Sequence, residues 1–417
     1  MNINLTVKCD ACHENTNCRV GMSNRHEWGV SFACKDCGNI IDINYKGSEE
    51  IVGADRVKGH EPFDKDTNFV DLHLDFPVSF GEYQMGFTPF FQAIERQGLE
   101  KVEYHRRRTD YLNAQVLLAR QFTTILKHYM RRKIVPFKLS IKKTFDLDLR
   151  SELPQDINAS LYDLIAKVMF PFTFPFLDDA AVKVNLTVTS EIEKNNPDKM
   201  RAFVDEINDN GFLKRVQNDC LNIYPSILKS DMALRPAMFL DFDDSYMENP
   251  IALRVSIDEF EKYKDLYKDI AETISKLMVL VAGINNLSKR GDHNAFLPEI
   301  GKRGDKDFTP NSLHKFADIA FGLKQDMIDD SWFSFIDEAI DNQLRNAIAH
   351  VKTEYDEITQ VITYYPKQEG MKAEKPKTMS FLEFMRRILI SYREMHRMHH
   401  LVKALFYYRY LVQKADQ

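Results

Sequence analysis

Two sets of residues in this sequence have the types and spacings that do chemistry. The first is Cys9-x-x-Cys12 with Cys34-x-x-Cys37, two pairs 21 residues apart. Each C-x-x-C turn offers paired thiolates, and four such soft donors complete a tetrahedron around zinc. Four thiolates leave no open coordination position, so the expected zinc is structural and takes no part in catalysis. Gly38, directly after Cys37, suits a tight knuckle that aims backbone amides at sulfur; His13 stands in the corresponding place after Cys12. The second set is Arg345-Asn346-Ala347-Ile348-Ala349-His350. Histidine, with an unperturbed pKa near 6.5, moves protons at neutral pH. Arginine supplies a fixed cation with several donors for charge growing on a phosphoryl oxygen.

The element expected to carry this second set is a helix from Ser331 to about Lys352. At 100° per residue, Phe333, Ile336, Ile340, Leu344, Ala347, Ile348 and Val351 fall within about 120° and form a core-facing stripe. Arg345, Asn346, Ala349 and His350 fall on the other side, with Asn346 and His350 adjacent at a spacing of four. Arg345 also follows Asp341 by four residues, an ordinary exposed helix ion pair. Arg345 and His350 are separated by about 140° on one helix, awkward for one compact site but natural across a two-fold axis. Small Ala349 between them would let a partner helix approach.

Arg345-Asn346-x-x-x-His350 on an amphipathic helix near the C-terminus resembles the signature of the HEPN superfamily, whose active members include metal-independent RNA endonucleases. The resemblance covers about residues 251–417 and rests chiefly on this motif. It implies a helical bundle in which Arg345 and His350 are the catalytic pair and Asn346 supports them. It further implies a homodimer through these helices, with two motifs in one cleft. The chemistry would use the RNA 2′-hydroxyl as nucleophile and need no catalytic cofactor, with His350 as general base or general acid. His396, His399 and His400 on the last helix are additional candidates, while Arg386, Arg387, Arg393 and Arg397 there either line the cleft or, the preferred expectation, face water. Bacterial proteins of this build often act as toxins or antiphage effectors, a context that comes from the resemblance alone.

Around these residues the chain reads as mainly α, in three parts. Residues 1–46 resemble a zinc ribbon, with strands through Trp28, Val30 and Phe32 and through Ile41, Ile43 and Tyr45, and Lys46 to Glu50 as a linker. Residues 47–250 form a largely helical middle region of regulatory or sensor character. It holds a short strand through Val70, Leu72, Leu74 and Phe76, helical periodicity from Pro89 to about Met130, and helices near 197–209 and 211–229. An irregular buried connection is expected over Met169–Phe176. Residues 251–417 form the helical bundle. Its first helix is expected to open on a Ser256/Glu259 capping box, and a second is capped by Asn311 or Ser312. A small β-hairpin from Tyr355 to Tyr365, a loop from Pro366 to Lys377 and a last helix opened by Ser380 and Glu383 complete it.

Composition narrows the partners. The net charge is −6, yet Lys101 to Lys143 holds twelve basic residues against two acidic ones, and Pro366 to the end holds eleven against five. Such segments suit a polyanion, or are simply solvated helix faces. The ribbon region to position 50 carries five basic and seven acidic residues, which favours a protein trigger there or in the middle region over nucleic acid. No helix-turn-helix accompanies it. Asp241, Asp243 and Asp244 lack the partners of a metal-dependent nuclease and read as an exposed acidic turn. The longest apolar run, Leu277 to Ile284, is far short of the roughly 20 residues that span a bilayer. Reducing-compartment cysteine usage and the absence of a signal pattern at Met1 place the protein in the cytoplasm. The competing expectation is a non-catalytic RNA- or protein-binding adaptor with a structural zinc ribbon.

Overall fold

The computed structural model describes residues 1–175, 178–243, 246, 252–257, 259–339, 341–366 and 375–413. Phe176, Asp244, Ile340 and most of the expected loop after Pro366 therefore lie outside the described residues. By backbone proximity the chain forms two units. The first comprises Met1–Leu117, Leu228–Asp265 and Gln343–Leu389; the second comprises Leu118–Ile227, Leu266–Asn342 and Ile390–Gln417. Positions 46 and 250 are not boundaries of these units, and the stretch 251–417 contributes to both.

The first unit carries the sheets apart from a two-residue antiparallel pairing of Lys302–Arg303 with Lys306–Asp307 in the second. β1 (Asn2–Cys9) and β2 (Asn15–Gly21) form an antiparallel hairpin. β3 (Trp28–Ala33), β4 (Ile40–Tyr45) and β5 (Glu49–Val52) form an antiparallel meander. Both strands expected from alternation are present, and in β4 Ile41 and Ile43 are wholly buried between half-exposed Asp42 and Asn44. The expected linker is instead the β4–β5 turn: Lys46 N–H donates to Ser48 O at 3.1 Å, and Gly47 takes φ +83°. β1 also pairs with β6 (Ala54–Lys58), and β2 pairs in parallel with β7 (Asn68–His73). The sheet order β6-β1-β2-β7 thus ties residues beyond 46 to the cysteine-bearing hairpin. The strand expected to reach Phe76 stops at His73, because His73 N–H donates to Ser256 Oγ at 2.9 Å and Asp75 N–H to His73 Nδ1 at 3.0 Å.

The same bond explains why Ser256 caps no helix: its hydroxyl is already committed, and the helix begins at Phe260. Thr88 and Pro89 open the helix Pro89–Gln97, and Gly98 at φ +79° separates it from Leu99–Leu117. Thr353–Asp356, Val361–Tyr364 and Lys377–Ser380 make a three-stranded antiparallel sheet. The small β-hairpin expected over Tyr355–Tyr365 is present, with a third strand added; it turns where Asp356 Oδ1 accepts from Ile358 and Thr359 N–H at 2.9 and 3.0 Å.

The second unit is helical, with Ala119–Met130, Ile134–Phe145, Pro154–Thr173, Asp178–Asn195, Pro197–Asp209 and most of Phe212–Lys229 and Phe260–Arg290. The expected irregular connection at Met169 is helix through Thr173. Pro171 lies in its last turn, where it removes one backbone bond, a loss that the packing of fully buried Met169 and Phe172 offsets. Among the described residues Phe260–Arg290 is the one helix long and apolar enough to cross a membrane, and 89% of its most apolar window is buried.

The helix expected from Ser331 is present only over Asn342–Ala349. Upstream, side chains satisfy the backbone that a helix would have used. Ser331 Oγ accepts from Phe333 N–H at 3.1 Å, Glu394 Oε1 from Ile336 N–H at 3.2 Å, and Ala339 O accepts from Ser391 Oγ at 3.0 Å. By contrast Ser380 does cap the last helix, Phe381–Tyr407, accepting from Glu383 N–H at 3.1 Å. Ser312 likewise caps Leu313–Ala317.

Candidate functional site

The four cysteines converge. Each C-x-x-C pair is the tip of a hairpin, Cys9 and Cys12 between β1 and β2, Cys34 and Cys37 between β3 and β4. Both tips close in the same way: His13 N–H donates to Cys9 O at 3.0 Å and Gly38 N–H to Cys34 O at 2.8 Å. Both residues after the second cysteine are left-handed, His13 at φ +64° and Gly38 at φ +76°. The sulfurs lie within 4.8 Å of one another, with Cys9–Cys37 at 3.7 Å and Cys12–Cys34 at 3.6 Å. A disulfide would need about 2.05 Å. A tetrahedral ion held by thiolates at about 2.3 Å would space the sulfurs by about 3.8 Å, so the donor set fits a structural metal. Burial opposes ionisation of Cys9, but amide bonds from Cys12 and Ala11 outweigh it and bring the thiol down to about 7. Burial pushes Cys34 up to about 12. Asn39, which the cysteine spacing gave no reason to single out, directs Nδ2 at Cys9 Sγ (3.6 Å) and Gly53 O (3.1 Å).

Arg345, Asn346 and His350 all belong to Asn342–Ala349 and its end. Leu344, Ala347 and Ile348 are buried, as the stripe requires, while Val351 is 82% exposed and not part of the core. The reason is the helix terminus. Val351 N–H donates to Ile348 O at 3.2 Å and Lys352 N–H to Ala347 O at 2.8 Å, the paired bonds of a Schellman end, with Val351 at φ +57°. His350 is therefore the capping residue, exposed at the point where the chain turns away. Asn346 is exposed too, and Arg345, half-buried, donates from Nη1 to Asn346 Oδ1 at 3.1 Å. Lys377 Nζ, donating to Gln343 Oε1 at 2.6 Å, places another cation beside the same helix.

The other candidates are absorbed by the interior. His396, His399 and His400 are at most 4% exposed. Tyr224 Oη lies 2.9 Å from His396 Nδ1 and 2.8 Å from His399 Nδ1, and Tyr162 Oη 3.1 Å from His399 Nε2. Burial holds His399 well below the usual imidazole range. Arg393, expected in water, is buried and donates from Nε to Phe172 O at 2.9 Å; Arg386 is 13% exposed. Asp241 and Asp243 form no exposed turn: they pair with Arg108 at 2.9 Å and with Arg96 at 3.1 Å through Nε. Distant arginines, invisible to local composition, neutralise them.

No family model matches the chain, and no curated protein or solved structure matches it either.

Proposed function

We propose that the chain is a metal-independent endoribonuclease of HEPN type, with Arg345 and His350 as its catalytic pair and Asn346 as the residue that orients Arg345. One observation supports this most: the three polar side chains share one helix end, with Asn346 and His350 open to solvent and the Arg345 guanidinium held by the Asn346 carbonyl. A core histidine or an incidental surface arginine has no need of that arrangement.

In this reading His350 takes the proton from the RNA 2′-hydroxyl or gives one to the leaving 5′-oxygen. The 2′-oxygen forms its bond to phosphorus as the P–O5′ bond breaks, leaving a 2′,3′-cyclic phosphate and a 5′-hydroxyl. Arg345 stabilises the charge on the non-bridging oxygens. Two copies of the motif across a dimer axis would supply both proton transfers, and exposed Ala349 and Val351 offer the apolar surface a second copy would cover. The cysteine site would hold zinc as a structural ion, in a region that docks a protein trigger. The protein would act in the cytoplasm, as a toxin or antiphage effector that cuts cellular RNA.

The test is incubation of purified protein with mixed RNA in EDTA. Wild type is expected to cleave, and Arg345→Ala and His350→Ala to fall by at least about a hundredfold, the lower bound for loss of a positioned proton-transfer group. Binding without cleavage by wild type would instead establish the non-catalytic adaptor.

A further inference from the structure

A cleft of about 330 Å³ opens within the second unit, between the Ala119–Met130/Ile134–Phe145 turn, the start of Phe212–Lys229 and the end of the last helix. Its floor is aromatic. Tyr129 and Phe137 lie with ring centroids 5.8 Å apart, and Phe406 and Tyr410 4.6 Å apart at an interplanar angle of 33°. Its rim is cationic, with His128, Arg132, Lys133 and Lys214. Glu152 is the one carboxylate among the described lining residues, and it leans to Lys138 at 3.9 Å, outside the cleft.

The rim cations are not structural. Arg132, Lys133 and Lys214 make no ion pair among the described residues, whereas Arg19, Arg108 and Arg235 are each buried against a carboxylate. Arg132 is held on the rim at φ +55° by a closed turn, with its N–H donating to Tyr129 O at 2.9 Å and Lys133 N–H to His128 O at 2.9 Å. Beneath, Asn158 Nδ2 donates to Tyr129 Oη at 2.9 Å and Tyr129 Oη to Gln217 Oε1 at 3.4 Å, which fixes the ring. Three cations without an ion pair among the described residues line the same cleft as two pairs of aromatic rings, a combination that joins phosphate attraction to base stacking.

We propose that this cleft binds a nucleoside phosphate, its base against the aromatic floor and its phosphate at Arg132, Lys133 and Lys214. The site is separate from Arg345 and His350 and does not depend on the ribonuclease reading. The ligand is either a free nucleotide or one unit of a strand, and the two sources share this chemistry.

Calorimetric titration of the full chain with AMP, adenosine and a deoxyadenylate hexamer decides the matter; the hexamer has no 2′-hydroxyl, so cleavage cannot intrude. Saturable binding of AMP or the hexamer is expected, weakened by salt. Arg132→Ala/Lys133→Ala should weaken AMP by at least about tenfold, equivalent to about 1.4 kcal/mol, and leave adenosine unchanged. Phe406→Ala should weaken AMP and adenosine together, with circular dichroism unchanged for both variants. AMP binding as tightly as the hexamer assigns the free nucleotide; tighter hexamer binding assigns the strand. No saturation with either ligand to a few millimolar, or binding indifferent to the double variant, overturns the proposal.

Discussion

His13 is the residue that departs from the ideal knuckle, yet it takes the same left-handed conformation as Gly38. The geometry is imposed by the amide bonds that close around Cys9 and Cys34, and a non-glycine residue there costs roughly 1 kcal/mol. That expenditure is understandable if an ion binds, since structural zinc sites contribute on the order of 10 kcal/mol to folding in small domains. Metal analysis of purified protein is expected to give one ion per chain for wild type and none for Cys34→Ser. An unchanged metal content in Cys34→Ser would remove Cys34 from the site. This site was legible in the sequence because ligand spacing is local. Asn39 was not, since its approach to Cys9 depends on how β4 enters its sheet.

At the scale of elements, the Ser312 and Ser380 caps match the sequence pattern and the Ser256 cap does not. The Ser380 cap lies where the S-x-x-E pattern puts it, and Ser380→Ala is expected to lower stability by about 1 kcal/mol in urea denaturation. The helix expected from Ser331 is longer than the one present because an apolar stripe does not show that Glu394 and Ser391 claim the backbone at Ile336 and Ala339. What remains is a helix of eight residues carrying the whole motif. Its terminus has a β-branched residue, Val351, at positive φ, where glycine is the usual choice. Val351→Gly is therefore expected to raise stability by about 1 kcal/mol, a gain readable as a higher urea midpoint. A lower midpoint would mean that Val351 has packing in solution that compensates its backbone.

Across the whole molecule, histidines are buried in both units. Burial holds His73 at about 4 and His105 at about 3, and His399 well below the ordinary value. Folded, these imidazoles stay neutral; unfolded, they take up protons as pH falls below about 6.5. The unfolded state then binds more protons at these sites, so the histidine contribution to stability is full above pH 6.5 and declines toward pH 4, while Glu394, pushed up to about 7 by burial, contributes in the opposite sense. For His73 alone the loss is on the order of 3 kcal/mol, and His73→Asn, which keeps an acceptor for Asp75 N–H, should flatten the slope. An unchanged slope between pH 6.5 and 4 in His73→Asn would contradict this. The mainly helical class was legible from periodicity. The parallel β2–β7 pairing and the assembly of each unit from three chain stretches were not, because they join residues far apart in sequence.

The central claim concerns two side chains at the end of one short helix, and product chemistry tests it most directly. RNA treated with wild-type protein in EDTA, then sequenced from its new ends, should carry 5′-hydroxyls and 2′,3′-cyclic phosphates. The same RNA treated with His350→Ala should carry none above background. Fragments with 5′-phosphates, or equal cleavage by both proteins, would contradict the account.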